Sequence, residues 1–105
     1  MKFIILGCGS SMGVPKADGD FGDCNPKEKK NFRSRCSALI SSKNQNILID
    51  TSPDLRTQLL SNNIKNVDKV LYSHMHADQM HGINDLRVFF LKKKDTIPVY
   101  ADKIT

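Results

Sequence analysis

Short apolar runs, separated by turns and polar connections, are the feature of this sequence that most restricts its fold. Apolar runs of about four to eight residues fit strands better than helices, which usually need about ten or more. Among the 105 residues, five segments have strand character: 2–6, 36–41, 47–50, 67–73 and 97–100. None approaches the roughly 20 apolar residues that cross a bilayer. The chain is therefore predicted to fold around a β-sheet.

Two other segments have the period of a helix. Ser52, Pro53 and Asp54 form a helix start, with serine as the N-cap, proline in the first helical position and an acid in the first turn. The helix is predicted over residues 53–61. Residues 83–93 carry apolar side chains on one side and basic ones on the other, which suits a helix that covers a sheet. Residues 42–46 join a hairpin, and residues 74–81, which have neither period, are predicted to form a loop.

Charge, cysteines and the N-terminus narrow the class of protein. The apolar run 3–6 is shorter than the roughly 7–15 residues of a signal peptide, so a buried first strand is favoured over a signal. The three cysteines form no C-x-x-C pair, which is typical of free thiols in a cytoplasmic protein. The net charge is +5, and the basic clusters 27–35 and 92–94 either meet phosphates or, as we prefer, form a solvated surface.

A cluster of histidines carries the strongest chemical signal. All three histidines of the chain lie between His74 and His81, and neutral imidazole and carboxylate are good ligands for zinc, manganese or iron. His74 and His76 follow a predicted strand as an H-x-H pair, so both imidazoles lie at the rim of the sheet. Asp78 is two residues further on and can reach a second ion. The cluster predicts a divalent-metal site.

The H-x-H-x-D segment, preceded along the chain by Ile49-Asp50-Thr51-Ser52, resembles the metallo-β-lactamase superfamily. Segments 7–15, 35–40 and 81–87 are similar to one branch of it, the phosphoribosyl cyclic phosphate phosphodiesterases, which are related to the tRNA 3′-end processing endonucleases. The resemblance covers nearly the whole chain. It implies an α/β fold: the N-terminal half of an αββα sandwich, a partial domain over residues 1–105. One mostly antiparallel sheet would carry the helices 53–61 and 83–93 on one face.

The same resemblance implies roles for individual residues. His74 and His76 would bind the first metal, and Asp78 would bind the second and orient the bridging hydroxide. Asp50 would brace the metal loop from below. Two zinc or manganese ions about 3.5–4 Å apart would generate the hydroxide and clamp the attacked phosphorus. The substrate would be a phosphodiester, either a small molecule or RNA, and its binding residues stay unknown.

Two departures from the family pattern bear on the metal. The family motif is H-x-H-x-D-H, but Gln79 occupies its last position, and an amide oxygen is a weaker ligand than imidazole for zinc-like ions. His81 is a further candidate ligand. Superfamily members also supply another histidine, an aspartate and a last histidine from a second half, and no histidine follows His81 here. The first metal would keep two protein ligands where a catalytic zinc normally has three, so we expect one ion or none to be bound tightly.

Two hypotheses about function follow. The chain is either part of a metal-dependent phosphodiesterase that a complementary C-terminal segment completes, in cis or as a separate polypeptide, or a truncated or split-gene product without catalysis of its own. In the second case it is at best a weak metal-binding or interaction module. Under either hypothesis the second face of the sheet is left as an exposed apolar patch, which favours a partner or self-association.

Overall fold

One five-stranded sheet organises the chain, which the computed structural model describes from residue 1 to residue 105. The strand order is β1-β2-β3-β4-β5. The strands are β1 (Lys2–Gly7), β2 (Ser37–Ser41), β3 (Asn46–Ile49), β4 (Lys69–Leu71) and β5 (Val99–Tyr100). The helices are α1 (Leu55–Ser61), α2 (Ala77–Met80) and α3 (Arg87–Lys93), with 3-10 helices at Lys29–Asn31 and Ile83–Leu86. The predicted α/β class is confirmed.

The sheet is mixed, where the resemblance implied a mostly antiparallel one. The pairs β1/β2 and β2/β3 are antiparallel, whereas β3/β4 and β4/β5 are parallel. The reason lies in the connections. A tight turn closes the predicted hairpin between β2 and β3, and the Ser42 N–H donates to the carbonyl of Gln45 there at 2.9 Å. The connections that contain α1 and α3 are helical crossovers, which return the chain to the same end of the sheet and so produce parallel neighbours.

The two predicted helices differ from the observed ones. One begins later than predicted, and the other is divided into two helix types. The first helix begins at Leu55 rather than at residue 53, because Ser52 caps a turn: its Oγ accepts the backbone N–H of Asp54 at 3.0 Å. The segment 83–93 is a 3-10 helix followed by α3, not one continuous helix. The predicted loop 74–81 contains the single turn α2, so that prediction was wrong in part. None of the helices has the length and apolar character that a membrane crossing requires.

Helices pack against only one of the two faces of the sheet. Leu39, Leu48 and Val70 stand opposite one another across β2, β3 and β4, and they share one buried cluster with helix residues such as Leu55 and Phe89. The helices therefore cover this face. Strand residues of the opposite face alternate with these. Apart from Lys69, which pairs with a β3 residue of that face, they are apolar as well: Phe3, Ile5, Ala38, Ile40, Ile47, Ile49, Leu71 and Tyr100.

The outer face, as we call the strand residues just named, is an apolar surface that is exposed at β1 and β5 and half-buried between them. Phe3 and Ile5 of β1 are 64% and 66% exposed, so the expectation of a buried first strand is wrong for this face of β1. The expectation that this face forms an exposed apolar patch is met in part, at Phe3, Ile5 and Tyr100. Pro98 precedes β5, an edge strand of the sheet, where a residue without an N–H is tolerated.

Candidate metal centre

The carboxyl ends of β3 and β4 lie side by side at one edge of the sheet. The two strands are parallel, with Ile49 opposite Leu71, so the residues that follow each strand emerge next to each other. The Asp50 N–H continues the pairing and donates to the carbonyl of Leu71 at 2.9 Å. This parallel pairing brings Asp50 beside the segment that contains His74 and His76.

Asp50 is a buried carboxylate whose two oxygens both bind Ser73. The Asp50 residue is only 7% exposed to solvent. The Oδ1 atom accepts the Ser73 backbone N–H at 2.8 Å, and Oδ2 accepts the Ser73 hydroxyl at 2.7 Å. The Asp50 backbone has a φ of 59°, in the left-handed region that aspartate adopts more readily than most residues. These contacts fit the bracing role implied for Asp50, which stays a prediction.

The two histidines of the H-x-H pair stand together on the open surface beyond β4. The Nε2 atom of His74 lies 3.1 Å from the Nδ1 atom of His76, and both side chains are exposed. Two nitrogens that each lie about 2.0–2.1 Å from one zinc ion, at tetrahedral angles, are about 3.3 Å apart. The two imidazoles are therefore placed to share one ion.

The remaining predicted ligands do not join this pair. Asp78 lies in the first turn of α2, where its Oδ2 accepts the Gln79 side-chain N–H at 2.9 Å. Gln79 is buried, and its Oε1 atom has no hydrogen-bond partner. His81 is the exposed C-cap of α2. No three histidine, cysteine, aspartate or glutamate side chains come together as a metal site. The residues present fit two ligands of one ion. Metal ligation by His74, His76, Asp78 and His81 stays a prediction.

Thr51 ties the ends of β3 and β4 to α2. Its hydroxyl oxygen lies 2.7 Å from the Tyr72 hydroxyl and 3.0 Å from the Met80 carbonyl, and its backbone N–H donates to the Gln79 carbonyl at 2.7 Å. Thr51 is fully buried. Burial raises the pKa of Tyr72, and the hydrogen bond with Thr51 acts in the opposite direction. The short helix that carries Asp78 is thus held from below by hydrogen bonds.

Gly82 completes this support because no side chain fits at its position. Its N–H donates to the Thr51 carbonyl at 2.9 Å. A Cβ atom at residue 82 would lie 1.9 Å from the carbonyl oxygen of Ser52, a distance that no pair of non-bonded heavy atoms adopts. The chain that leaves α2 and the chain that leaves β3 therefore touch, backbone to backbone.

Arg35 and Asp54 form a bidentate ion pair that no sequence pattern predicted. The Arg35 Nε atom donates to Asp54 Oδ2 at 2.9 Å and a terminal nitrogen donates to Oδ1 at 2.7 Å. This hydrogen bonding holds the pKa of Asp54 below its ordinary value, against the effect of burial. It also raises the pKa of Arg35, and the charge of Asp78 adds a smaller contribution in the same direction. Arg35 therefore lies within the electrostatic field of the candidate centre.

Comparison with known proteins identifies the family. The family model of the beta-lactamase superfamily domain matches residues 45–105. An octanoyltransferase from Porphyromonas gingivalis is 38% identical over 104 residues, and a ribonuclease Z from Clostridium kluyveri is 29% identical over 84 residues. These alignments cover 98% and 78% of this chain. The crystal structure of a diphosphatase from the PhnP family is similar with a TM-score of 0.84 and 34% identity, over 96% of this chain.

The chain spans only part of each relative. It covers 21% of the octanoyltransferase, 22% of the ribonuclease Z and 41% of the diphosphatase chain. The matched family model includes Asp50, both residues of the H-x-H pair, and Asp78. The chain thus belongs to the beta-lactamase superfamily, the metallo-β-lactamase superfamily that its H-x-H-x-D segment resembles.

Proposed function

We propose that this chain supplies the first metal-binding segment of a metal-dependent phosphodiesterase. The observation that carries the proposal is the 3.1 Å approach of His74 Nε2 to His76 Nδ1 at the carboxyl edge of the sheet. A bound zinc or manganese ion would supply a hydroxide nucleophile at neutral pH and would neutralise charge on the phosphoryl oxygens. His74 and His76 would hold that ion.

Neighbouring residues have supporting roles in this proposal. Asp50 would anchor the segment through Ser73, and Asp78 would orient the attacking hydroxide or bind a second ion. Gln79 offers a neutral amide oxygen where the family motif has imidazole, so a second zinc would be held weakly. The Oε1 atom of Gln79 is buried and has no hydrogen-bond partner within the chain.

The proposed substrate class is a phosphodiester, either a small molecule or RNA. The support is the likeness to a diphosphatase and to a ribonuclease, two kinds of enzyme that act on phosphate linkages. A net charge of +5 also favours encounter with polyanions. Lysines 27, 29 and 30 and lysines 92–94 are exposed, although Lys93 lies 4.0 Å from an Asp68 oxygen and is partly neutralised by it.

We further propose that a complementary segment packs on the outer face and brings the missing ligands. Phe3 and Ile5 are about two thirds exposed, at 64% and 66%, and contiguous apolar surface of this kind marks interaction sites. A second sheet with an apolar inner face fits such a surface, because packed sheets interdigitate their side chains over about 10 Å. The segment belongs either to the same polypeptide or to a separate one.

The test is hydrolysis of a model phosphodiester in the presence of manganese or zinc. The chain is assayed alone and after co-expression with the complementary part of a PhnP-family diphosphatase. We expect turnover only in the second case, and its loss in His76→Ala. Efficient turnover by the chain alone that His76→Ala abolishes would refute the proposal that it needs completion.

We propose a second candidate function because Gln79 stands where the family motif has a histidine. The chain would then be a weak metal-binding or interaction module without catalysis. The two proposals differ in the co-expression assay: a complex that forms and binds zinc but hydrolyses no phosphodiester supports the module. Binding of two zinc ions per chain at micromolar concentration counts against it.

We propose a cytoplasmic location. All three cysteines are free and exposed, and exposed free thiols are typical of reducing compartments. Fractionation of cells that express the chain at its natural level tests this, and recovery in a secreted fraction would contradict it.

A further inference from the structure

Ser73 connects the buried carboxylate of Asp50 to the first histidine. The Ser73 Oγ atom lies 2.7 Å from Asp50 Oδ2 on one side and 2.9 Å from His74 Nδ1 on the other. The backbone N–H of Ser73 donates to the second oxygen of Asp50 at 2.8 Å. The three residues form a continuous chain of hydrogen bonds that ends on the imidazole ring.

The position of each proton in this series of hydrogen bonds follows from which of the three groups can donate. A carboxylate only accepts, and a serine hydroxyl has a single proton, so the Ser73 proton points to Asp50. The Ser73 oxygen then offers only lone pairs to His74. The Nδ1 atom of His74 must therefore carry a hydrogen, which leaves a lone pair on Nε2, because a neutral imidazole carries one proton.

We propose that Ser73 is a positioning residue that, together with Asp50, holds His74 in its Nδ1–H tautomer and so directs the Nε2 lone pair toward His76. Metal-bound histidines usually donate their other ring N–H directly to a carboxylate, a carbonyl or water. Here a hydroxyl is inserted between the ring and the carboxylate. That the lone pair serves a metal rests on the proposed function, but the tautomer itself is a property of the metal-free chain.

The contact between the two rings extends this assignment to His76. If His74 Nε2 carries a lone pair, the 3.1 Å contact requires His76 to donate from Nδ1. His76 would have to move that proton to its own Nε2 before its Nδ1 could coordinate. One tautomer is thus fixed in advance by Ser73, and the other changes on metal binding.

The experiment is a two-bond ¹H–¹⁵N correlation spectrum of the metal-free, ¹⁵N-labelled full chain, recorded above the ordinary histidine pKa of about 6.5. We expect His74 to show a protonated Nδ1 and a bare Nε2. In Ser73→Ala that preference should be lost, with a detectable population of the Nε2–H form. Ser73→Thr keeps the hydroxyl and should restore the original pattern, whereas Ser61→Ala, on the exposed surface, should change nothing.

Far-UV circular dichroism of each variant establishes that it is folded. A His74 that carries its proton on Nε2 in the unmodified chain, or a tautomer that is the same in Ser73→Ala, overturns the inference. A folded Ser73→Thr that behaves like Ser73→Ala also counts against it. Failure of the chain to bind zinc would instead oppose the proposed function, and the metal-free spectra would still decide the role of Ser73.

Discussion

Thr51, Gly82 and Asp50 hold the histidine segment from below, each by hydrogen bonds to the strand ends or to α2. These residues matter because they satisfy the buried backbone groups around the histidine segment. The segments that follow β3 and β4 must pair their buried backbone N–H and carbonyl groups. Each such group left unpaired would lower the stability by about 1–3 kcal/mol. Thr51 and Gly82 pair those groups between the end of β3 and α2, and Asp50 pairs them between the ends of β3 and β4. The geometry of the H-x-H pair therefore depends on residues that are not ligands.

Gly82→Ala tests this support. The added Cβ atom would overlap the Ser52 carbonyl, at 1.9 Å, and the backbone of residues 51–52 would have to move. We expect a loss of about 3 kcal/mol in the free energy of unfolding, together with weaker zinc binding. Urea denaturation measures the first effect and calorimetric titration the second.

Met75→Ala is the matched control for Gly82→Ala. Met75 lies between the two histidines and is 57% exposed, so its truncation should change stability by less than about 0.5 kcal/mol. A Gly82→Ala protein as stable as this control would show that the contact between the two backbones is not required.

The residues of the candidate site could be predicted to different degrees. His74 and His76 are two positions apart, so their chemistry is visible in the sequence and the structure places their nitrogens together. Arg35 and Asp54 are 19 positions apart. Their pairing depends on how the segment before β2 packs against the start of α1, which no local pattern encodes.

At the scale of elements, strands were easier to predict than helix boundaries. The apolar runs indicated all five strands. Successive residues of a strand face opposite sides of the sheet, and here both sides carry apolar side chains. The start of α1 was misplaced because Ser52 and Asp54 can form either a helix cap or the turn observed. Residues 77–80 form a single helical turn, too short to show a periodic pattern. The direction of β4 and β5 follows from the crossovers, so the parallel pairs were not visible in the strands themselves.

The ion pair between the segment before β2 and α1 makes stability depend on pH. The folded-state pKa of Asp54 is lowered, so the pair contributes fully above the ordinary carboxyl range, near 3.8, and its contribution disappears as the pH falls through the lower folded value. Asp54→Asn should cost about 1.5–3 kcal/mol at neutral pH. The difference from the unmodified chain should shrink steadily below about pH 4. Urea unfolding at a series of pH values measures it.

Asp23→Asn is the control for this pH dependence. Asp23 is exposed, and its replacement should alter stability by less than about 0.5 kcal/mol at neutral pH. If the difference between Asp54→Asn and the unmodified chain stayed constant from neutral to acid pH, the ion pair would not be the source of the effect.

For the whole molecule, the contrast between the two sheet faces is the dominant feature. One face is closed by α1 and α3 over a cluster of ten buried residues. The outer face has apolar side chains at successive outward positions of β1, β2 and β3, and those at both edges of the sheet, Phe3 and Tyr100, are 64% and 52% exposed. A sheet with two apolar faces is typical of a layer between two others. This distribution supports a partner layer on the outer face.

Ile5→Lys tests whether the outer face associates. Ile5 is 66% exposed, so a lysine there should leave stability within about 0.5 kcal/mol and should abolish the concentration-dependent self-association that we expect of the chain. Sedimentation velocity measures the association. The control is Ile4→Lys, whose side chain packs against the core and should unfold the chain. Equal self-association by Ile5→Lys and the unmodified chain would place the contact elsewhere.

The central claim, that His74 and His76 bind one metal ion together, is tested most directly by zinc titration of the ¹⁵N-labelled chain. We predict that the Nε2 resonance of His74 and the Nδ1 resonance of His76 shift together and saturate at one zinc per chain, and that His76→Ala abolishes both shifts. Zinc that binds through the exposed cysteines and leaves these two resonances unmoved would contradict the claim.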